Sequence, residues 1–478
     1  MNIIEKLNYI EEEMCLYESG IRNIKKLRKQ FDKAEIYFHM DLWLDGVTSG
    51  IGMKNYLEQN GFKVINAFHI QYGGTEYAVP KGKKNVMKVL VDYSHGKPMF
   101  QIHQDHHEGQ VGVAKGTSTN FKHSPSGSGT ISGIISPKDI FPSKDLKIIN
   151  TVDSADFASQ GLTPDDIINA AFKFNKNIPV AKNHQMMGLV VNKLLLTYKN
   201  KPDFLEKLVM KSKPSLLSIY NVIKKLAKAE GYKTSSQIQA DSANYQQAQQ
   251  GKKIKNGTLA DVKKLKTGQS VIIGNLLVQY GAGYLGKGNQ YDRYTAFKLN
   301  PDVNYYSIAW GVGLVQLSQN PFKKLEKKLN LGEVVMKDVM PKFESKLKSI
   351  KINLDYLKYT FEMDIIKKGL ENRVGFTFND LIALYGKQLK GLPDSGSYRD
   401  LISDITNKPY GSLSDKQKNI MKRVTISAWD VVMAGSGGHP AITNLSGFNF
   451  IKKDQYSGGY VQLLHDVQYE IAKRMKNE

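Results

Sequence analysis

The sequence predicts an α/β protein: a parallel-sheet domain, then a second, smaller α/β domain, with a helical connector between them. Three observations lead there. Short strand-like runs alternate with helical ones from about residue 34 to 155, residues 160–235 carry helical spacing throughout, and strand-like runs resume near 270. Alternation of this kind is the signature of a mostly parallel sheet covered on both faces. A chain of 478 residues is also too long for one ordinary core. The expected boundaries are 1–195 for the first domain, 196–269 for the basic connector and 270–478 for the second domain.

Element by element, residues 1–33 read as helix, with Ile3, Leu7, Ile10 and Met14, then Ile21, Ile24 and Leu27, at mostly helical spacing. The strand-like runs of the first domain are "AEIYFHM", "KVINAFHIQYG", "VMKVLVDYS" and "PMFQIHQ". "VTSGIGMKNYLEQNGF" reads as a helix ending at Gly61, and "KGTSTNFKHSPSGSGTISG" as a Gly/Ser/Thr loop. "PDDIINAAFKFNKN", "NHQMMGLVVNKLLLTY" and "SLLSIYNVIKKLAKAEG" read as helices, and the polar stretch "KTSSQIQADSANYQQAQQGKKIKNG" as a linker. "QSVIIGNLLVQYG", "YDRYTAFKLN" and "VNYYSIAWGVGLVQLS" form the second strand-like block.

Composition narrows the functional classes. No apolar run reaches the roughly 18–20 residues a membrane span needs, and the acidic, helix-patterned start lacks the layout of a signal peptide. The lone Cys15 excludes an internal disulfide and a cysteine-rich zinc site, so a cytoplasmic setting is expected. Net charge is +22, and residues 201–478 supply +18 of it, from 43 basic against 25 acidic side chains. Only seven of the basic residues are arginine. Lysine point charges suit sequence-independent contacts to phosphates. A polyanion partner is therefore expected, with solvated surface lysines as the bland alternative.

Four acidic or histidine clusters fall in the first domain, each read as ending a strand-like run: His39/Asp41/Asp45, Asp92, Asp105-His106-His107, and Asp153/Asp156. Singly, an aspartate at a strand end is more often a cap or turn residue. Four clusters at one sheet edge would repel one another unless cations neutralised them. Mixed imidazole and carboxylate donors favour Mn²⁺ over Mg²⁺.

"FHMD…LDGVTSG", "VDYSHG", "DHH" and "VDSAD", in this order, resemble motifs one to four of the DHH phosphoesterases, and "GSGGHPAITNLSG" resembles the GGGH motif of the associated DHHA1 domain. The resemblance spans about residues 34–160 and, loosely, 270–455. It implies a two-metal hydrolase of the kind found in RecJ-type exonucleases, nanoRNases and cyclic-dinucleotide phosphodiesterases. Carried over, His39, Asp41 and Asp92 would hold one Mn²⁺, and Asp45, Asp92, His106 and Asp153 the other, with Mg²⁺ as the alternative ion. Asp153 is preferred to Asp156 because it follows "NTV", read as a strand end. His107 would face the scissile phosphate and Asp105 would orient the histidines. Gly437, Gly438 and His439 would contact a terminal phosphate.

The family pattern H-x-D-x-D-G is lengthened here to H-x-D-x-x-x-D-G. Two arrangements stay open: a loop bulging at Trp43 that keeps all three ligands, or a first metal that has lost Asp41. The family's phosphate-gripping arginine is absent from "YYSIAWGVGLVQLSQNPF", leaving Arg293 as the nearest candidate. The aromatics Tyr280, Tyr284, Tyr291, Tyr294 and Trp310 form either a base-stacking platform or a half-buried sheet. The expected activity is Mn²⁺-dependent removal of nucleotides from an end of single-stranded nucleic acid. The alternatives are a nanoRNase or cyclic-dinucleotide phosphodiesterase, a catalytically impaired nucleic-acid-binding scaffold, and a soluble pyrophosphatase-like enzyme.

Overall fold

"KAEIYFH" has the near-continuous apolar character of a strand covered on both faces. In the computed structural model it forms β1 (Lys33–His39), exposed only at its first residue. The structure describes residues 24–39, 44–70, 85–93, 100–106, 118–121, 124–132, 140–167, 184–198, 202–229, 254–281, 290–326, 329–356, 386–390, 410–434 and 441–478. The chain divides into two units. The first takes residues 1–72, 78–155 and 173–237, and the second takes 73–77, 156–172 and 238–478, the larger share.

The first unit is built on a five-stranded sheet that adds β2 (Lys63–Ile70), β3 (Met87–Val91), β4 (Ile102–Asp105) and β5 (Ser118–Phe121), in the order β2-β1-β3-β4-β5. Every neighbouring pair is parallel. The strands therefore all end at one edge, and that edge receives His39, Asp92, Asp105 and His106. Helix α1 (Leu44–Gln59) returns the chain from β1 to β2 and is buried along nearly its whole first half. Glu35, fully buried in β1, belongs to the core. Its two oxygens accept from Asn66 Nδ2 (3.0 Å) and the Tyr37 hydroxyl (3.4 Å).

Two further helices matter to the edge: the short α2 (Gly127–Thr130) and α3 (Ser143–Ser154). The run "NTV", read in the sequence as a strand end, lies inside α3. Burial of Asp145, Ile148, Ile149 and Val152 follows a helical period, and Ala155 closes the helix in a left-handed conformation (φ 51°). The β-branched residues misled the local reading, and packing overrode their strand preference. Helices α4 (His184–Tyr198), α5 (Pro202–Lys211) and α6 (Leu216–Ala229) also belong to this unit. The buried Asp145 accepts the Leu216 N–H (2.9 Å), tying the start of α6 to α3.

The second unit holds a mixed sheet of β6 (Ser270–Ile273), β7 (Leu276–Tyr280), β8 (Tyr305–Trp310), β9 (Leu314–Gln319) and β12 (Ile442–Leu445). Their order across the sheet is β12-β9-β8-β7-β6. β7 and β8 are parallel, and the other pairs are antiparallel. A small antiparallel pair, β10 (Lys351–Asn353) with β11 (Thr425–Ser427), stands apart. "YDRYTAFKLN" is not a strand. It forms helix α7 (Gln290–Leu299), the crossover that two parallel strands require. Its tyrosines and phenylalanine favour strands locally, but burial of Tyr294, Ala296 and Phe297 serves a helix packed on the sheet. Helix α8 (Gly459–Met475) closes the other core with Leu463, Leu464, Val467, Ile471 and Met475, each contributing about 1.5–3 kcal/mol by burial. Gln468 Nε2 donates to the Gln279 carbonyl of β7 (2.9 Å). No described helix is long and apolar enough to cross a membrane.

Asp145→Ala leaves the buried Leu216 N–H without that acceptor and is expected to cost about 1–2 kcal/mol. In thermal denaturation this is a Tm fall of a few degrees; an unchanged Tm would show that the tie between α3 and α6 contributes nothing.

Candidate metal centre

Parallel strands deliver the first three groups. His39 is the last residue of β1, Asp92 follows β3, and His106 follows β4. Asp92 has a left-handed backbone (φ 55°), a conformation costly for most residues but tolerated by Asp and Asn. Its N–H still bonds the Gln104 carbonyl (2.9 Å), so the strand pairing continues up to the turn. The carboxylate then spans two histidines: Oδ2 lies 3.8 Å from His39 Nδ1, and Oδ1 lies 3.2 Å from His106 Nε2.

Asp45 comes from the first turn of α1. It is 1% exposed, and its two oxygens accept the Gly127 N–H (2.6 Å) and the Ser128 N–H (3.0 Å). Ser49 Oγ adds a bond at 3.3 Å, and Ser128 Oγ in turn pairs with Thr48 Oγ1 (2.7 Å). Asp153 arrives near the end of α3, with Oδ2 3.6 Å from His106 Nε2, while Asp45 Oδ2 lies 3.5 Å from the same nitrogen. Ligand atoms of Asp45, His106 and Asp153 all lie within 4.8 Å of one another.

Two glycines make this approach possible. A Cβ on Gly46 would sit 1.7 Å from the His39 carbonyl oxygen, so only glycine lets α1 begin against the end of β1. A Cβ on Gly127 would lie 2.8 Å from Ser49 Oγ and 3.1 Å from Asp45 Oδ2.

The orientation of His106 is fixed from behind. Nδ1 lies 3.1 Å from the Ser124 carbonyl, which can only accept, so Nδ1 carries the proton and Nε2 faces the carboxylates. Asp105, buried, accepts the His106 backbone N–H (2.8 Å) and holds the turn. His103 is also buried, with Nε2 2.6 Å from the Tyr93 carbonyl, a structural role.

Electrostatics follow from this crowding. Two like charges about 4 Å apart repel by about 4 kcal/mol at an effective dielectric near 20. Burial, then the neighbouring Asp92 charge, push the Asp45 carboxyl up to about 6, with His106 and Ser128 acting against them. Burial alone would lower His106. The hydrogen bond to Asp92 and the charges of Asp153, Asp45 and Asp92 outweigh it and hold the imidazole well above its ordinary value. The proton on His106 thus performs the task of a cation among three carboxylates. An imidazole with its far nitrogen anchored to a carbonyl, facing several carboxylates, fits a divalent ion such as Mn²⁺.

Of the residues expected from the sequence, the structure brings together His39, Asp45, Asp92, His106 and Asp153, with Asp105 behind them. The lengthened spacing has not displaced His39 or Asp45 from the cluster. Asp153, not Asp156, meets His106; Asp156 precedes the short turn Phe157–Gln160 in the second unit. Asp41, Trp43, His107, Gly437, Gly438 and His439 lie outside the described residues. Arg293 sits buried on α7. Sequence reading missed Gly46, Ser49, Ser124, Gly127 and Ser128. A signal for the last two was present in "SPSGSG", where a serine cap precedes small residues able to start a helix.

No protein-family model and no curated protein matches the chain. Among solved structures, RecJ from Thermus thermophilus in complex with Mn²⁺ is similar at 10% identity and a TM-score of 0.37, over 68% of this chain and 49% of that one. An exonuclease RecJ bound to manganese gives 10% and 0.34, over 64% and 82%. An uncharacterized protein from Helicobacter pylori gives 14% and 0.23, over 64% and 90%. The chain matches only about half the length of the Thermus protein. Likeness this distant fixes neither family nor activity.

The titrations give a signed prediction. Both His106 and Asp45 bind protons more tightly folded than unfolded. The His106 contribution to stability is full below pH 6.5 and lost as pH rises through its higher folded value; that of Asp45 is lost between 3.8 and about 6. Metal-free protein is therefore expected to lose stability at this site as pH rises. Mn²⁺ must displace the His106 proton, so its affinity rises with pH by up to tenfold per unit for each proton released. Calorimetry in buffers of different ionisation enthalpy checks this; Mn²⁺ binding without proton release would contradict it.

Proposed function

We propose that the chain is a divalent-metal-dependent phosphodiesterase that hydrolyses single-stranded nucleic acid from an end. The observation that carries the reading is the convergence of His39, Asp45, Asp92, His106 and Asp153 at one sheet edge. Two Mn²⁺ ions, or Mg²⁺, would be held by His39, Asp41 and Asp92 on one side and by Asp45, Asp92, His106 and Asp153 on the other. Such ions supply Lewis-acid polarisation of a phosphoryl oxygen and make hydroxide available near neutral pH.

The protein's own groups act by position. Asp92 offers one oxygen toward each histidine, which suits a residue shared between two ions. The Gly127 and Ser128 N–H groups hold both oxygens of Asp45 and so keep its carboxylate in one orientation. Ser124 and Asp105 fix His106 from its far side and its backbone. His107 is assigned to the scissile phosphate, and Gly437, Gly438 and His439 to the terminal phosphate of the substrate. The +18 charge of residues 201–478 favours a polymer over a dinucleotide, because each neutralised phosphate adds salt-dependent affinity.

The test is a panel of 5′- and 3′-labelled DNA and RNA oligomers in Mn²⁺. Wild type is expected to shorten single strands from an end, and Asp92→Ala to be slower by more than about a hundredfold, beyond the 10–100-fold that loss of an outer partner costs. Equal hydrolysis by both proteins, or none by either, would overturn the reading. Activity on dinucleotides alone, insensitive to salt between about 50 and 200 mM, would reassign the substrate.

A further inference from the structure

The ribbon of β10 and β11 turns one face to the core and one outward. Ile352 and Ile426, paired across it, are buried, so Lys351, Asn353 and Thr425 take the other face by alternation. Side-chain amides tie cationic segments to this ribbon. Gln388 accepts the Thr425 N–H (2.7 Å) and donates to the Thr425 carbonyl (2.7 Å), which sets Lys387 and Lys390 beside β11. Asn353 Nδ2 donates to the Lys422 carbonyl and so holds the Lys422–Arg423 turn at the end of β10. Gln455 Nε2 donates to the Lys351 carbonyl (2.8 Å) while its Oε1 accepts the Lys452 N–H (3.0 Å), which brings in Lys452 and Lys453. The helix Pro341–Ser349, leading into β10, adds Lys346 and Lys348. Every one of these cationic side chains is exposed.

Elsewhere in the unit, lysines have acids beside them, as Lys337 has Glu333 (3.4 Å) and Lys263 has Asp466 (3.3 Å). Around the ribbon Lys348 alone is matched, by Glu344 (2.5 Å); the other cations form no ion pair among the described residues. Residues 345–353, 386–390, 416–425 and 450–453 contain no acid. Of the acids that flank them, Asp430 is bonded to Ser427 Oγ (2.5 Å) and Asp415 lies 4.0 Å from Lys418, leaving Asp355 and Asp454. Asp380 and Asp394, on either side of residues 386–390, lie outside the described residues. Like charges gathered on one small surface repel, and a polyanion relieves them. A nucleic-acid strand fits this surface better than a lipid one. The exposed large apolar side chains among the described residues are Leu217, Val312 and Val461, none of them in these segments, and membrane-surface elements bind through an apolar face as well as charge. Tyr356, half-buried, offers a ring 4.4 Å from Lys452 Nζ, and a cation beside an aromatic is the pairing that single-strand binders use. Lysine, which predominates here, suits contacts to phosphates rather than reading of bases.

We propose that the β10–β11 ribbon is a docking surface for single-stranded nucleic acid, which grips phosphates without metal and without regard to sequence. The choice of partner rests on the nucleic-acid reading of the metal centre, while the surface shares no residue with that centre.

Binding is measured in EDTA, so that hydrolysis does not consume the probe. A fluorescein-labelled oligothymidine of about 30 nucleotides is titrated by anisotropy between about 50 and 200 mM salt. One variant carries Lys351→Gln, Lys422→Gln, Arg423→Gln and Lys453→Gln. A control carries Lys211→Gln, Lys213→Gln, Lys225→Gln and Lys228→Gln, which removes the same charge from exposed positions of the first unit. Both are checked for folding by circular dichroism. The ribbon variant should bind at least about tenfold more weakly at the lower salt, and its log–log salt slope should flatten by up to about 0.7 per lost contact. The control should stay within about threefold of wild type, because exposed charge that touches no phosphate is screened. If the ribbon variant fails to fold, the pairs Lys351→Gln/Lys453→Gln and Lys422→Gln/Arg423→Gln replace it, each expected to give about half the flattening. The proposal is overturned if wild type leaves the oligomer unbound, if the ribbon variants bind like wild type, if the control loses as much, or if wild type prefers phosphatidylserine vesicles to the oligomer. Hydrolysis in Mn²⁺ is scored separately. Ribbon-dependent binding without hydrolysis leaves the docking surface standing and removes the phosphodiesterase; hydrolysis with binding that ignores the ribbon does the reverse.

Discussion

Mutual repulsion among carboxylates at the end of one parallel sheet is the constraint on which the first unit turns. Asp45, Asp92 and Asp153 all approach a single imidazole nitrogen within 3.6 Å. Such crowding is tolerated only where a proton or a cation offsets the charge. Against burial, the Asp92 hydrogen bond and the neighbouring carboxylates hold the His106 imidazole well above its ordinary value, and the same donor set could hold a divalent cation. Much of the surrounding detail serves the same crowding: the left-handed turn at Asp92, glycine at 46 and 127, and backbone donors on both oxygens of Asp45.

The second unit buries a cationic group instead. There the Arg293 guanidinium is buried on α7, with no ion pair among the described side chains.

Much of this was legible in the sequence, and the reasons are physical. Strands buried on both faces are near-continuous apolar runs, so β1 to β4 could be placed closely. Parallel strands end together, so His39, Asp92 and His106 could be gathered before any coordinates. Asp153 was found for the wrong local reason, because "NTV" looks like strand while packing of Ile148, Ile149 and Val152 makes it helix. α7 misled in the same way: tyrosines at home in strands cover the sheet from a helix. The Gly127–Ser128 clamp was only half legible: "SPSGSG" offers a serine-capped helix start, but nothing local shows that it will meet a residue more than eighty positions away.

Anomalous diffraction at the manganese edge, from crystals equilibrated with Mn²⁺ above about pH 7, addresses the central claim most directly. The account predicts density bounded by Asp45, Asp92, His106 and Asp153, with a second peak shared through Asp92 on the His39 side. Absence of any peak there at saturating Mn²⁺, with His106 still protonated among the carboxylates, would contradict it.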